Sequence, residues 1–183
     1  MNRAALIFAG AFIIIAAVYY SFVGFGEVIT NDSSEEYASG DLGIAFEYPS
    51  TYTIGEHDLG NGERAHRDIV LIAKKDLPPP QNGEGPPAIT IEVFQNNIEN
   101  YTADSVIRST NFTNYKLSSD GIIASTTVGG RDGLEFRWSG LYEGRTVVVT
   151  GPNWVYAFSV TFLTPDDAII DDFERILTAV RFK

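Results

Sequence analysis

The longest apolar stretch opens the chain. Residues 4–25 carry no charged side chain and include the block Phe12, Ile13, Ile14, Ile15, Ala16, Ala17 and Val18. As a helix rising about 1.5 Å per residue, this segment reaches about 33 Å, enough for a hydrocarbon core about 30 Å thick. Its apolar region is longer than that of a cleaved signal peptide, and Tyr19, Tyr20, Phe22 and Phe25 crowd its end as an interfacial aromatic belt does. Residues 1–26 therefore read as an uncleaved transmembrane anchor. Residues 27–41, rich in Asn, Asp, Ser, Glu and Gly, offer little to bury and read as an acidic flexible tether.

From residue 42 the period changes. Leu42, Ile44, Phe46 and Tyr48 alternate with Gly43, Ala45 and Glu47, the two-residue repeat of a half-buried strand, and Pro49 and Ser50 turn it into a second strand over 52–55. A polar loop over 56–67 leads to a short apolar strand over 69–73. Residues 76–87, with Pro78, Pro79, Pro80, Pro86 and Pro87, predict an exposed loop. A strand follows over 88–95, where Ile89, Ile91 and Val93 oppose Thr90, Glu92 and Phe94. Thr102 then caps a short helix over 103–109 that buries Val106 and Ile107.

The next part reads as an antiparallel meander. Strands over 122–128 and 133–139 join at Gly129 and Gly130; Gly144 turns into a strand over 146–150; Pro152 and Asn153 turn into a strand over 154–163. In the last strand Trp154, Tyr156, Phe158, Val160 and Phe162 form one strongly apolar face. The chain closes with a helix expected to be capped by Thr164 and opened by Pro165, with Asp166 and Asp167 in its first turn. Its stripe of Ile169, Ile170, Phe173, Ile176, Leu177 and Val180 suits packing on a sheet. Residues 42–183 thus predict one α+β domain, a central antiparallel sheet with flanking helices.

Charge sharpens this division. The chain has 13 Lys plus Arg and 24 Asp plus Glu, a net charge of −11. Arg3 is the sole charged residue of the first 26, so removing it leaves 12 cations against 24 anions, a net −12, over residues 27–183. Such a surface repels nucleic acid, which is not an expected partner, and repels anionic lipid head groups as well. Arg3 and the terminal amine precede the anchor while acidic residues follow it. This predicts a single-pass protein with a cytoplasmic N-terminus and an extracytoplasmic domain, its membrane partner engaged through residues 4–25. The absence of cysteine excludes disulfides and thiolate chemistry.

Candidate chemistry is sparse. His57 and His66 share the polar stretch with Asp58, Glu63 and Arg64, and imidazole nitrogens beside carboxylates can hold a borderline metal ion; their spacing matches no compact ligand pattern. Asp166, Asp167, Asp171 and Asp172 are explained by capping, by the helix dipole and by an expected pair of Asp171 with Arg175. Ser105, Ser125 and Ser139 lack the Gly-x-Ser-x-Gly elbow. Trp138, Tyr142 and Trp154 are expected in the core rather than on a binding platform. No catalytic residue and no cofactor is assigned.

The opening run Leu42, Gly43, Ile44, Ala45, Phe46, Glu47, Tyr48, Pro49, Ser50, with Tyr52 and Ile54, resembles the first hairpin of the PsbP-like family. The strand ending in Phe158 to Phe162, the final helix, and Ile176, Leu177, Thr178, Ala179, Val180, Arg181, Phe182 are similar to that family's last strand and helix. The resemblance spans residues 42–182 and implies an α/β/α sandwich around an antiparallel sheet. It also implies a family whose members have a fold in common more than a role, since some are accessory subunits of photosystem II and many bacterial ones are anchored domains. The expected function is that of a noncatalytic, membrane-anchored extracytoplasmic domain that binds or stabilises a protein partner. The alternative is a small metal-dependent enzyme or hydrolase using His57 and His66.

Overall fold

The computed structural model describes residues 33–78 and 84–183, and the anchor expected at 4–25 lies outside the described residues. No described helix is long and apolar enough to cross a membrane. In chain order the elements are β1 (Ser34–Ser39), β2 (Ile44–Pro49), β3 (Tyr52–Asp58), β4 (His66–Ala73), β5 (Ile89–Gln95), α1 (Ala103–Ser109), β6 (Ala124–Val128), β7 (Arg131–Ser139), β8 (Glu143–Thr150), β9 (Trp154–Phe162), α2 (Ala168–Ala179) and β10 (Arg181–Phe182). Seven strands form one sheet in the order β3-β4-β5-β9-β8-β7-β6, and β1-β2-β10 form a second. Every described strand pairing is antiparallel.

Strand β9 sits at the middle of the large sheet, and its alternation divides the core in two. Tyr156, Phe158, Val160 and Phe162 point into a cluster with Ile44 and Phe46 of β2, Ile69 and Leu71 of β4, Ile91 and Val93 of β5, and Phe173, Ile176 and Leu177 of α2. Val155 and Ala157 point the other way, to Phe94, Phe136, Trp138 and Val148 and to Val106 and Ile107 of α1. Successive strand residues face opposite sides, so α2 with the small sheet covers one face and α1 covers part of the other. The expected layered α+β arrangement is present. The Tyr156 hydroxyl, buried in the first cluster, donates to the Leu42 carbonyl oxygen at 2.9 Å and ties the two sheets together.

Local chemistry explains the turns and ends. Gly129 and Gly130 have φ of 54° and 76°, the positive values a tight two-residue hairpin turn demands, and a Cβ on Gly129 would lie 2.8 Å from the Val180 carbonyl oxygen. Thr102 and Ser105 form a reciprocal capping box at the start of α1. The stripe of α2 is buried at Phe173, Ile176 and Leu177.

Four expectations are corrected. Residues 34–39, expected within the flexible tether, form β1 and pair with β2 from Ser34 opposite Pro49 to Ser39 opposite Ile44. Their composition suits an exposed edge strand, in which backbone pairing replaces burial; Tyr37 stacks inward, 5.1 Å from the Phe46 ring. The loop expected over 56–67 shrinks to 59–65, because Glu56, His57 and Asp58 pair with Ile69, Asp68 and Arg67. Opposite charges across the ladder, Arg67 with Asp58 and with Glu56 at 3.3 Å, hold these polar residues extended. Gly144 does not make the β7–β8 turn. It lies in β8 opposite Trp138, whose indole occupies the space a side chain would need, and the turn falls at residues 140–142. Finally, α2 begins at Ala168 with Asp167 at its N-cap rather than Thr164. The Asp167 carboxylate folds back to accept from the backbone of Leu163 at 2.7 Å and Thr164 at 3.0 Å, which commits that segment to a turn. Further along α2, Arg175 pairs with Asp172.

Candidate functional site

The two faces of the large sheet are unequally covered at the β3, β4 and β5 end. On the face toward α2, Ile69, Leu71, Ile89, Ile91 and Val93 are fully buried. On the opposite face α1 packs on β7 and β8, and β3, β4 and β5 extend beyond its footprint. There Asp68, Val70, Ile72, Thr90 and Glu92 stay half-buried although β4 and β5 are interior strands, and His57 is exposed.

This half-face carries a row of titratable side chains. The register sets His57 opposite Asp68, and Asp68 opposite Glu92. Side chains of directly opposed residues in an antiparallel pair stand about 5 Å apart at Cβ, so His57, Asp68 and Glu92 form one line across three strands. His66 lies two residues before Asp68 on the same face, with Nε2 3.8 Å from Glu92 Oε1. Its ring meets Phe94 at 5.8 Å and Phe112 at 5.3 Å, both edge-on. Arg64 closes the end of the row over Phe94 and Tyr101, 5.6 Å from each ring, and pairs with Glu99.

The electrostatics of the row are unbalanced. Burial raises the Glu92 carboxyl from its ordinary 4.5 to about 7, and the neighbouring Asp68 charge adds to the effect. Burial likewise raises Asp68, against the opposing pull of His57 and His66, and burial also holds His66 below its usual range. Four buried side-chain polar atoms lack a hydrogen-bond partner among the described residues: Arg64 Nε, His66 Nε2, Asp68 Oδ1 and Glu92 Oε2. All four belong to this one patch. Buried polar atoms are nearly always partnered, by protein or by ordered water, so their concentration here singles out this patch as the candidate site.

The residues singled out from sequence are distributed as follows. His57 and His66 come to one face, on strands rather than in a loop. Among the described residues no three His, Asp or Glu side chains converge as ligands of a metal ion. Ser105 serves the α1 cap, Ser125 lies on β6, and Ser139 donates to Glu143 at 2.8 Å, so none stands beside a histidine. Trp138 is buried, its indole donating to Thr146 Oγ1 at 3.0 Å, and Trp154 packs half-buried against the core. Tyr142 instead donates to the Gly85 carbonyl oxygen at 2.6 Å, at the edge of the proline-rich loop. Sequence reading passed over Asp68 and Glu92. A legible signal existed, since Glu92 is an acid at the centre of a strand with apolar neighbours on either side.

The class of protein is defined by this sheet: an α+β fold, mostly antiparallel, with one helix on each face. No family model and no curated protein matches the sequence. Among solved structures, the solution structure of cyanobacterial PsbP (CyanoP) from Synechocystis sp. PCC 6803 is similar over 87% of this chain and 98% of that one, with a TM-score of 0.55 and 12% identity. A crystal structure from Bacteroides thetaiotaomicron VPI-5482 is similar over 81% of this chain, with a TM-score of 0.51 and 13% identity. The aligned part covers 48% of that Bacteroides chain, about half its length. The fold is PsbP-like.

Proposed function

We propose that the chain is a noncatalytic, membrane-anchored extracytoplasmic domain that binds or stabilises a protein partner at the membrane surface. The observation that carries this reading is the half-face of β3, β4 and β5, which presents polar and acidic side chains with orphaned buried atoms beyond the helix that covers the rest. A PsbP-like fold accords with it, because a rigid antiparallel sheet holds such a surface in fixed register. Placement at the membrane rests on the uncharged residues 4–25 and on Arg3 ahead of them.

Two measurements test this. The chain has no cysteine, so single cysteines report topology without background. In intact cells an impermeant maleimide is expected to label Asp171→Cys and to spare Asn2→Cys; the reverse pattern refutes the orientation. A photo-crosslinking residue at Thr90 of the anchored full chain is expected to trap one reproducible protein. If neither that position nor any other surface position traps one, partner binding is wrong.

The alternative, a metal-dependent enzyme using His57 and His66, draws on their shared face beside Asp68 and Glu92. It requires zinc heat in calorimetry that disappears in the His57→Asn, His66→Asn double variant. Absence of that heat in the unsubstituted chain removes it.

A further inference from the structure

Glu92 and Asp68 face one another across β5 and β4, and among the described residues the basic group beside Glu92 is the His66 imidazole, with Nε2 3.8 Å from Glu92 Oε1 and no Lys or Arg paired with that carboxylate. Each keeps a buried carboxylate oxygen without a donor among the described residues, Asp68 Oδ1 and Glu92 Oε2. The charged and titratable groups that face Glu92 are Asp68 and His66 on β4, His57 beyond them on β3, and Arg64 past the end of the row. On its other side β9 presents Ala157. Arg64 is already committed to Glu99 and to two aromatic rings. Two carboxylates side by side in a partly desolvated setting repel, and the imidazoles of His57 and His66 offset that only in part; a permanent positive charge with several donors would relieve both acids.

The missing group can be typed by its geometry. A metal ion draws its ligands to within about 2.0–2.6 Å of one centre. The described acids and histidines do not converge in that way. A guanidinium or ammonium group has no such requirement. It spreads three to five donors over several ångströms and can reach oxygens on adjacent strands. Beside them Arg64 Nε is a buried donor without an acceptor among the described residues.

We infer that the half-face of β3, β4 and β5 docks a basic segment of the protein partner, with one arginine or lysine side chain seated between Asp68 and Glu92. This deepens the partner-binding reading and rests on it. Charge complementarity selects the occupant: a net −12 over residues 27–183 attracts a cationic segment, and the orphaned oxygens fix where its charged end sits.

The test uses the full chain in nanodiscs of neutral lipid and a fluorescent, end-capped peptide of three arginines spaced by glycine. Glu92→Gln and Asp68→Asn are each expected to weaken binding about tenfold, the ordinary cost of unpairing one such charge contact, whereas Asp171→Asn on exposed α2 changes it less than about twofold. Seating a cation on Glu92 must displace its proton. Affinity in the unsubstituted chain is therefore expected to fall about tenfold from pH 8 to pH 6, and Glu92→Gln to abolish most of that fall. Equal weakening by all three substitutions means diffuse attraction to an acidic surface and overturns the proposal, as does unchanged binding in Glu92→Gln. Circular dichroism of each variant checks that the sheet is intact. The two readings fail separately: a partner trapped at Thr90 with equal yield in Glu92→Gln sinks the docking assignment alone, while absence of any trapped partner sinks the function.

Discussion

Replacing Glu92 by Gln keeps the size of the side chain and removes its ionisation, so it isolates the cost of holding that carboxylate half-buried beside Asp68. With a folded value of about 7 against 4.5 in the unfolded chain, the folded state binds the extra proton between those values. Stability tied to that proton is fully present below pH 4.5 and is lost as pH rises through 7. The difference of about 2.5 pH units corresponds to about 3 kcal/mol, an upper bound because the Glu92 side chain keeps 26% of its exposure. Glu92→Gln is therefore expected to gain up to about 3 kcal/mol over the native chain between pH 5 and pH 8. In a domain of this size that is a relative rise in Tm of about 6–12 °C. Thermal melts followed by circular dichroism at pH 5, 6, 7 and 8, on native and variant proteins together, measure it. The pH dependence of the difference matters more than its value at any one pH, since it cancels titration elsewhere and the general effect of an amide. A difference that is flat with pH, or that shrinks toward pH 8, refutes the reasoning.

Other outcomes follow from packing. Gly144→Ala would place its Cβ 2.3 Å from the Trp138 ring, and displacing that indole from its bond with Thr146 is expected to cost about 1–3 kcal/mol, read as a lower urea midpoint and altered tryptophan fluorescence. Phe173→Ala empties the contact between α2 and the two sheets at a fully buried ring, with an expected loss of about 3–5 kcal/mol by chemical denaturation. Thr102→Ala removes the side-chain half of the α1 capping box and is expected to cost about 1 kcal/mol, with faster amide exchange confined to the first turn of α1.

Most of the architecture was legible because it is written in short-range patterns. The β2 alternation, the Gly129–Gly130 turn, the apolar stripe of α2 and the two-faced β9 each declare themselves within about a dozen residues, and the sheet forms where they indicate. What stayed hidden depended on a distant partner. Residues 34–39 have no strand signal of their own; β2 recruits them by offering an unpaired edge. Glu56 to Asp58 look like loop until Arg67 and Asp68 stand opposite them. Gly144 reads as a turn until Trp138 lies across it.

The site shows the same division more sharply. From sequence alone come an uncharged first segment, an acidic remainder, two histidines and an alternating strand that carries Glu92, since composition and periodicity are properties of neighbours along the chain. Only tertiary structure decides that His57, Asp68 and Glu92 stand in line on three strands with His66 beside them. It also decides that α1 stops short of covering them. Register is a long-range property, and a shift of one residue would have sent these side chains into the apolar core. The altered protonation of Glu92 has the same origin, because it arises from what surrounds the carboxylate in space.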